Sequence, residues 1–124
     1  MVRVPDAKKV RFHKKLPKAL MDMYESIGGI DLAIVDGTFA YTGASSSKRK
    51  KADTLLAGRD AVAVDAVCCM VMGIDPGSVK HLSIAARAKL GTIDPSDIEV
   101  VGLRLDEVKP AFRAAESIFR QTKT

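Results

Sequence analysis

Tryptophan is absent from this 124-residue chain, and aromatic residues make up only 5% of it. A core must therefore come from the Ala, Val, Ile, Leu and Met that dominate its 47% apolar content. No stretch reaches the roughly 18 consecutive apolar residues that suggest a membrane-spanning helix. The N-terminus is polar and basic and lacks the apolar stretch of a secretory leader, so a cytoplasmic protein is expected. Cysteine is scarce too: Cys68 and Cys69 are the only two, and they are adjacent. They cannot form a CxxC pair, and a vicinal bridge within a helix would be strained. Both read as small buried hydrophobes in a reducing compartment. With no CxxCxxC run, no iron–sulfur cluster can be assigned to this chain. The HExxH spacing of a zinc protease and the GxxxxGK[ST] spacing of a P-loop are also missing.

Positive charge is abundant but unevenly placed. The net charge is +5, yet the basic residues crowd into the N-terminal segment and into Lys48-Arg49-Lys50-Lys51. Such tracts either solvate the protein or attract an anionic partner. No aromatic residue interleaves with the lysines, so a stacking platform for single-stranded nucleic acid is not expected, and nucleic-acid binding is disfavoured. Residues 1–12 are expected to form a basic, flexible N-terminal segment on a single α/β domain or fragment spanning 1–124.

Periodicity supplies the elements. Leu16, Leu20, Met23, Tyr24 and Ile27 recur at helical spacing, with Pro17 in the first turn and Gly28-Gly29 as the stop. Residues 31–36 (DLAIVD) read as a strand buried on both faces. Residues 37–51 read as a loop, and residues 54–57 as a second short strand. Gly58 to Gly73 (GRDAVAVDAVCCMVMG) reads as a buried helix, because it presents no polar face. Asp75-Pro76 opens a further helix through Leu90, with Gly91 as its stop. Ile98 to Val101 is a third strand. Val108, Phe112, Ala115 and Phe119 mark a last helix. The fold class is α/β: a small mixed sheet of about three strands covered by about four helices, forming part of a larger α/β domain. Ile-Asp-Pro occurs at 74–76 and again at 93–95, which reads as shared turn chemistry and not as a repeat.

Several carboxylates are candidates for chemistry. Asp36 ends a strand and is followed by Gly37, a favoured place for ligands in open α/β sheets. The string IVDGT approaches the DxDGT motif of haloacid-dehalogenase-type phosphatases, but Ile34 stands where the nucleophile belongs, so that mechanism is excluded. Asp60 sits where a helix N-cap should be. Asp65 lies more than a turn inside an apolar helix, where an unpaired carboxylate is costly. Two readings stay open for it. It either accepts hydrogen bonds from the glycine-rich 37–47 loop, or it is a general base or metal ligand. His81 near a helix start, with His13, offers nitrogen to a mixed divalent-metal site. Gly43 to Ser47 (GASSS) resembles an anion-cradling loop only loosely.

The string GRDAVAVDAVCCMVMGIDP, preceded by IVDG and followed by HL and LG, resembles the family catalogued as domain of unknown function 362. The pattern falls on Asp36-Gly37, the Gly43 region, Asp60 to Asp65, Gly73 to Pro76, His81-Leu82, Leu90-Gly91 and Ile98 to Gly102. The resemblance runs over roughly residues 8–105. It implies that this chain corresponds to the C-terminal half of longer relatives, many of which carry a ferredoxin-like iron–sulfur module. A missing N-terminal half, or self-association in its place, is therefore the expected partner, with no membrane involved. Asp36 and Asp65 become the catalytic candidates, and Gly37, Gly43, Ser45 and Asp60 the ligand-binding ones. Asp36, Asp65 and His81 are the metal candidates. The function expected is that of part of an enzyme that binds a divalent metal or an anionic small molecule through converging carboxylates. The alternative is a non-catalytic docking module.

Overall fold

A computed structural model describes residues 15–41 and 49–112. Four α-helices and one two-stranded antiparallel sheet make a mixed α/β arrangement among these residues. Helix α1 spans Leu16–Ser26, strand β1 Ala33–Tyr41, strand β2 Arg49–Gly58, helix α2 Ala61–Val71, helix α3 Lys80–Arg87 and helix α4 Leu105–Phe112. Two 3-10 turns, Pro76–Ser78 and Pro95–Asp97, precede α3 and α4.

The hairpin corrects the expected mixed three-stranded sheet. β1 begins at Ala33 and runs through the expected loop to Tyr41, pairing antiparallel with β2 from Ala33↔Gly58 to Tyr41↔Arg49. Its exposure alternates along the strand, so it is covered on one face and not on two. Ile34 on the open face is 65% exposed. The register slips between Gly37 and Phe39, where Ala52 and Asp53 together oppose Thr38. Asp53 absorbs this bulge with a positive φ of 45°, a region that aspartate tolerates better than most residues. Gly37 is needed beside it, because a Cβ there would lie 2.8 Å from the Thr54 carbonyl oxygen.

Ile98 to Val101 forms no ladder among the described residues. Ile98 is extended, with φ −110° and ψ 112°, but among the described residues no strand lies beside it to pair with.

Helix α2 is the centre of the fold. Val62, Val64, Ala66, Val67, Cys69 and Val71 are all buried. Gly73 ends the helix in the left-handed region at φ 73°, which lets the Ile74 amide donate to the Cys69 carbonyl at 2.8 Å. One side of α2 packs on α3, where Val62 and Cys69 meet Leu82 and Ala85. The other packs Val67 and Val71 against Val108 of α4, with Leu56 of β2 and Phe112 closing that cluster. The expected single helix from Pro76 is broken at Val79, whose ψ of 113° separates the 3-10 turn from α3. Both Ile-Asp-Pro triplets build the same turn. Asp75 accepts from the Gly77 amide at 3.0 Å, and Asp94 from the Ser96 amide at 2.9 Å.

Helix α1 contains no buried residue. Its stripe of Leu16, Leu20, Met23 and Ile27 stays exposed, and Met21 is the side chain that reaches the α2–α3 core. The continuation of α4 expected at Ala115 and Phe119, and the basic segment 1–12, lie outside the described residues.

Candidate functional site

The carboxylates singled out from the sequence do not converge. Asp36 folds back on its own strand, where its Oδ1 accepts from the Thr38 amide at 2.9 Å and from the Thr38 hydroxyl at 2.6 Å. These two bonds favour the ionised form, the hydroxyl more strongly, and hold the Asp36 pKa below its usual value.

Asp60 is the N-cap of α2. Its Oδ1 accepts from the amides of Val62 at 2.8 Å and Ala63 at 3.0 Å. Its Oδ2 accepts from the Thr92 amide at 3.0 Å, across 32 positions of sequence. Gly91 approaches so closely that a Cβ there would meet Asp60 and lie 2.6 Å from the Val62 Cβ. Both oxygens of Asp60 are thus committed to backbone amides. Thr92, the partner that fixes this role, is a residue the sequence reading missed.

Asp65 departs most from expectation. It is not buried: its side chain is 56% exposed. His81, in the first turn of α3, brings its Nε2 to 3.9 Å from the Asp65 Oδ2 and is 32% exposed. An eleven-residue helix that is apolar nearly all round need not be enclosed all round; what packs against it decides, and at Asp65 one side is open. Partial desolvation raises the Asp65 pKa, and His81 draws it back in part.

Asp65 and His81 stand at the edge of a pocket of about 390 Å³ between α1, the start of β1, α2 and α3. Met21, Tyr24, Leu32 and Val35 give it an apolar lining. Among the described residues no three His, Cys, Asp or Glu side chains gather closely enough to hold a metal ion. The fold therefore brings together two of the candidates, Asp65 and His81, and leaves Asp36 apart. Gly43, Ser45 and His13 lie outside the described residues.

The sign of the Asp65 shift gives an expected result. A carboxyl whose pKa is raised by folding contributes stability that is present below its unfolded pKa and lost as pH rises through the folded value. Asp65→Asn should therefore match the parent protein in acid and exceed it at neutral pH. With the group more than half exposed, the gain should stay under about 1 kcal/mol. Urea denaturation at pH 3.5 and pH 7.5 checks this, and a variant less stable at pH 7.5 would contradict it.

The cysteines behave as inert apolar groups. Cys69 is buried and Cys68 half-buried. Burial first, and then the Asp65 charge, push the Cys68 thiol up to about 11, and burial also raises Cys69.

The described part of the basic tract is engaged within the chain. The Arg49 guanidinium lies 4.7 Å from the Phe39 ring centroid. Lys50 donates to the Pro110 carbonyl at 3.0 Å, and Lys51 pairs with Asp53 at 2.7 Å. The sequence showed no aromatic among these cations, but the hairpin register sets Phe39 against Lys51 and Tyr41 against Arg49. Among the described residues no helix is long and apolar enough to cross a membrane.

The fold and the site define a small α/β module with an accessible carboxylate–imidazole pair beside an apolar pocket. The model of the family described as Domain of unknown function (DUF362) matches residues 1–70, more than half of the chain, and the chain belongs to that family. The match takes in Asp36-Gly37 and the Asp60 to Asp65 string, and it ends before Gly73 and His81. No curated protein and no solved structure matches the chain.

Proposed function

We propose that this chain forms part of an enzyme's binding site, in which Asp65 and His81 together hold a divalent metal ion or an anionic small molecule. The observation that carries this reading is their approach to 3.9 Å at the mouth of an apolar pocket, with both side chains open to solvent. A carboxylate oxygen and an imidazole nitrogen suit a borderline divalent cation. Two protein ligands are fewer than the three or four that zinc sites use, so a partner polypeptide or residues outside the described set would supply the remainder. Without a metal, the same pair suits proton transfer, with the carboxylate orienting the imidazole. Asp60 is assigned to the scaffold because both its oxygens accept from backbone amides, and Asp36 because its Oδ1 is held by the Thr38 amide and hydroxyl.

The test is an NMR titration of the chain with Mn²⁺, Zn²⁺, Mg²⁺ and inorganic phosphate. Saturable shifts or Mn²⁺ broadening should centre on Asp65, His81 and the first turn of α3. Asp65→Asn should weaken the Zn²⁺ response by about tenfold, a loss near 1.4 kcal/mol. Because the Asp65 pKa is raised, protons should compete with the metal at a higher pH than for an ordinary carboxylate. Changes that are not saturable, or that survive Asp65→Asn intact, would remove this reading.

A docking role is favoured by a separate observation. β2 pairs on one edge only among the described residues, and an unpaired strand edge is a template for another chain. A missing N-terminal half, a second copy or a ferredoxin-like module are the partners this reading allows.

A further inference from the structure

The free edge of β2 borders a cleft of about 530 Å³, larger than the pocket at Asp65 and His81. One wall is the β2 backbone from Asp53 to Gly58, continued by Arg59. The opposite wall is Ile98 to Leu103, the segment with strand-like sequence and an extended start but no ladder. Val64, Val67 and Val71 of α2 also line the cleft but are themselves buried, and its open apolar surface comes from Val100, Val101 and Leu103. The cleft thus brings the unpaired edge of one strand together with a segment that is extended at Ile98. Each has amide and carbonyl groups that, among the described residues, no strand pairs.

From this geometry we infer that the cleft is a slot for one extended segment of a partner polypeptide, which enters as a strand between β2 and Ile98 to Val101. The seven residues from Asp53 to Arg59 span about 20 Å at strand rise, the length of an ordinary strand of five or six residues. Inserted there, the segment turns the two-stranded hairpin into a four-stranded sheet and gives Ile98 to Val101 the neighbour it lacks. Its residues at alternate positions meet the exposed Val100, Val101 and Leu103 that line the cleft and must be apolar.

Charge narrows the occupant further. The ionisable groups around the slot are Asp53, Arg59, Asp60, Asp97 and Glu99. Asp60 is held by amides and Asp53 by Lys51. Asp97 and Glu99 are exposed on the far wall. The slot therefore selects a segment whose apolar residues alternate with Lys or Arg. This deepens the docking reading and does not depend on Asp65 or His81.

The experiment is a selection of random heptapeptides displayed on phage against the whole chain, followed by NMR mapping of the enriched sequences as synthetic peptides. Alternating apolar and basic residues should emerge, with shifts confined to residues 53–59 and 97–103. N-methylating either set of alternate amides should cut affinity by about tenfold, because a strand between two neighbours donates alternate N–H groups to one and then the other. Asp97→Lys with Glu99→Lys, both at exposed positions, should weaken binding about fivefold at low salt and less at high salt. Asp65→Asn should leave it unchanged. Failure to enrich any sequence would overturn the slot, as would full tolerance of N-methylation in either register. Shifts confined to Ile34 on the open sheet face would overturn it while leaving a docking role intact. A light-scattering mass that doubles with chain concentration, with the same slot amides shifting, would overturn a foreign segment in favour of a second copy.

Discussion

Asp60→Ala should destabilise the domain by about 3 kcal/mol, without any ligand being involved. Losing an N-cap costs about 0.5 to 2 kcal/mol. Here the loss falls on two amides at once, those of Val62 and Ala63. Removing the acceptor of the Thr92 amide adds about 1 to 3 kcal/mol, since that donor is half-buried against α2. Asp60→Asn separates the contributions. Its one carbonyl oxygen can still cap α2, but its NH₂ group then faces the Thr92 amide as a second donor, so roughly half the loss should return. Urea midpoints for the two variants check this. A loss below about 1 kcal/mol for Asp60→Ala would mean that the carboxylate is not committed to the scaffold, and would reopen it as a ligand-binding group.

Leu82→Ala should cost a similar amount for a different reason. Leu82 is 1% exposed and fills the space between Val62, Cys69 and Ala85 where α2 meets α3. Truncating such a side chain loses transfer free energy and leaves a cavity, together about 3 kcal/mol. Leu82→Met keeps the volume and should cost less than about 1.5 kcal/mol. His81 sits one residue before Leu82 on the same helix, so the larger substitution should also loosen the Asp65–His81 approach. NMR shifts at His81 would report that. Equal stabilities for the two variants would show that the α2–α3 seam is not the principal core.

The helices were the most legible part of the sequence. Asp60 and Gly73 mark the two ends of α2 through local chemistry, and each corresponds to a hydrogen bond or a backbone angle in the fold, while the Asp-Pro pairs mark 3-10 turns. What depended on distant parts of the chain was less legible. The third strand has the right residues at Ile98 to Val101, but a strand is realised only with a neighbour, and a neighbour cannot be read from those four residues. Asp65 seemed buried because its helix is apolar nearly all round, yet exposure is set by what packs against each side, and its own side is open. Asp60 was recognised as a cap, but its bond to Thr92 spans 32 positions that carry no spacing signal. The three carboxylates share a short stretch of sequence. Strand alternation and helix rotation nevertheless carry them apart, and the one pairing that survives, Asp65 with His81, joins two different helices.

The adjacent cysteines govern how this chain meets oxidants and alkylating reagents. With the Cys68 pKa pushed up to about 11, only about one molecule in ten thousand carries the reactive thiolate at pH 7. Cys69 is shielded by the α2–α3 contact itself. Sulfur chemistry at Cys69 is therefore limited by how often α2 and α3 part, and at the half-buried Cys68 by the scarcity of its thiolate. Oxidation at Cys69 becomes a reading of conformational stability, and it should climb in step with the losses expected for Asp60→Ala and Leu82→Ala.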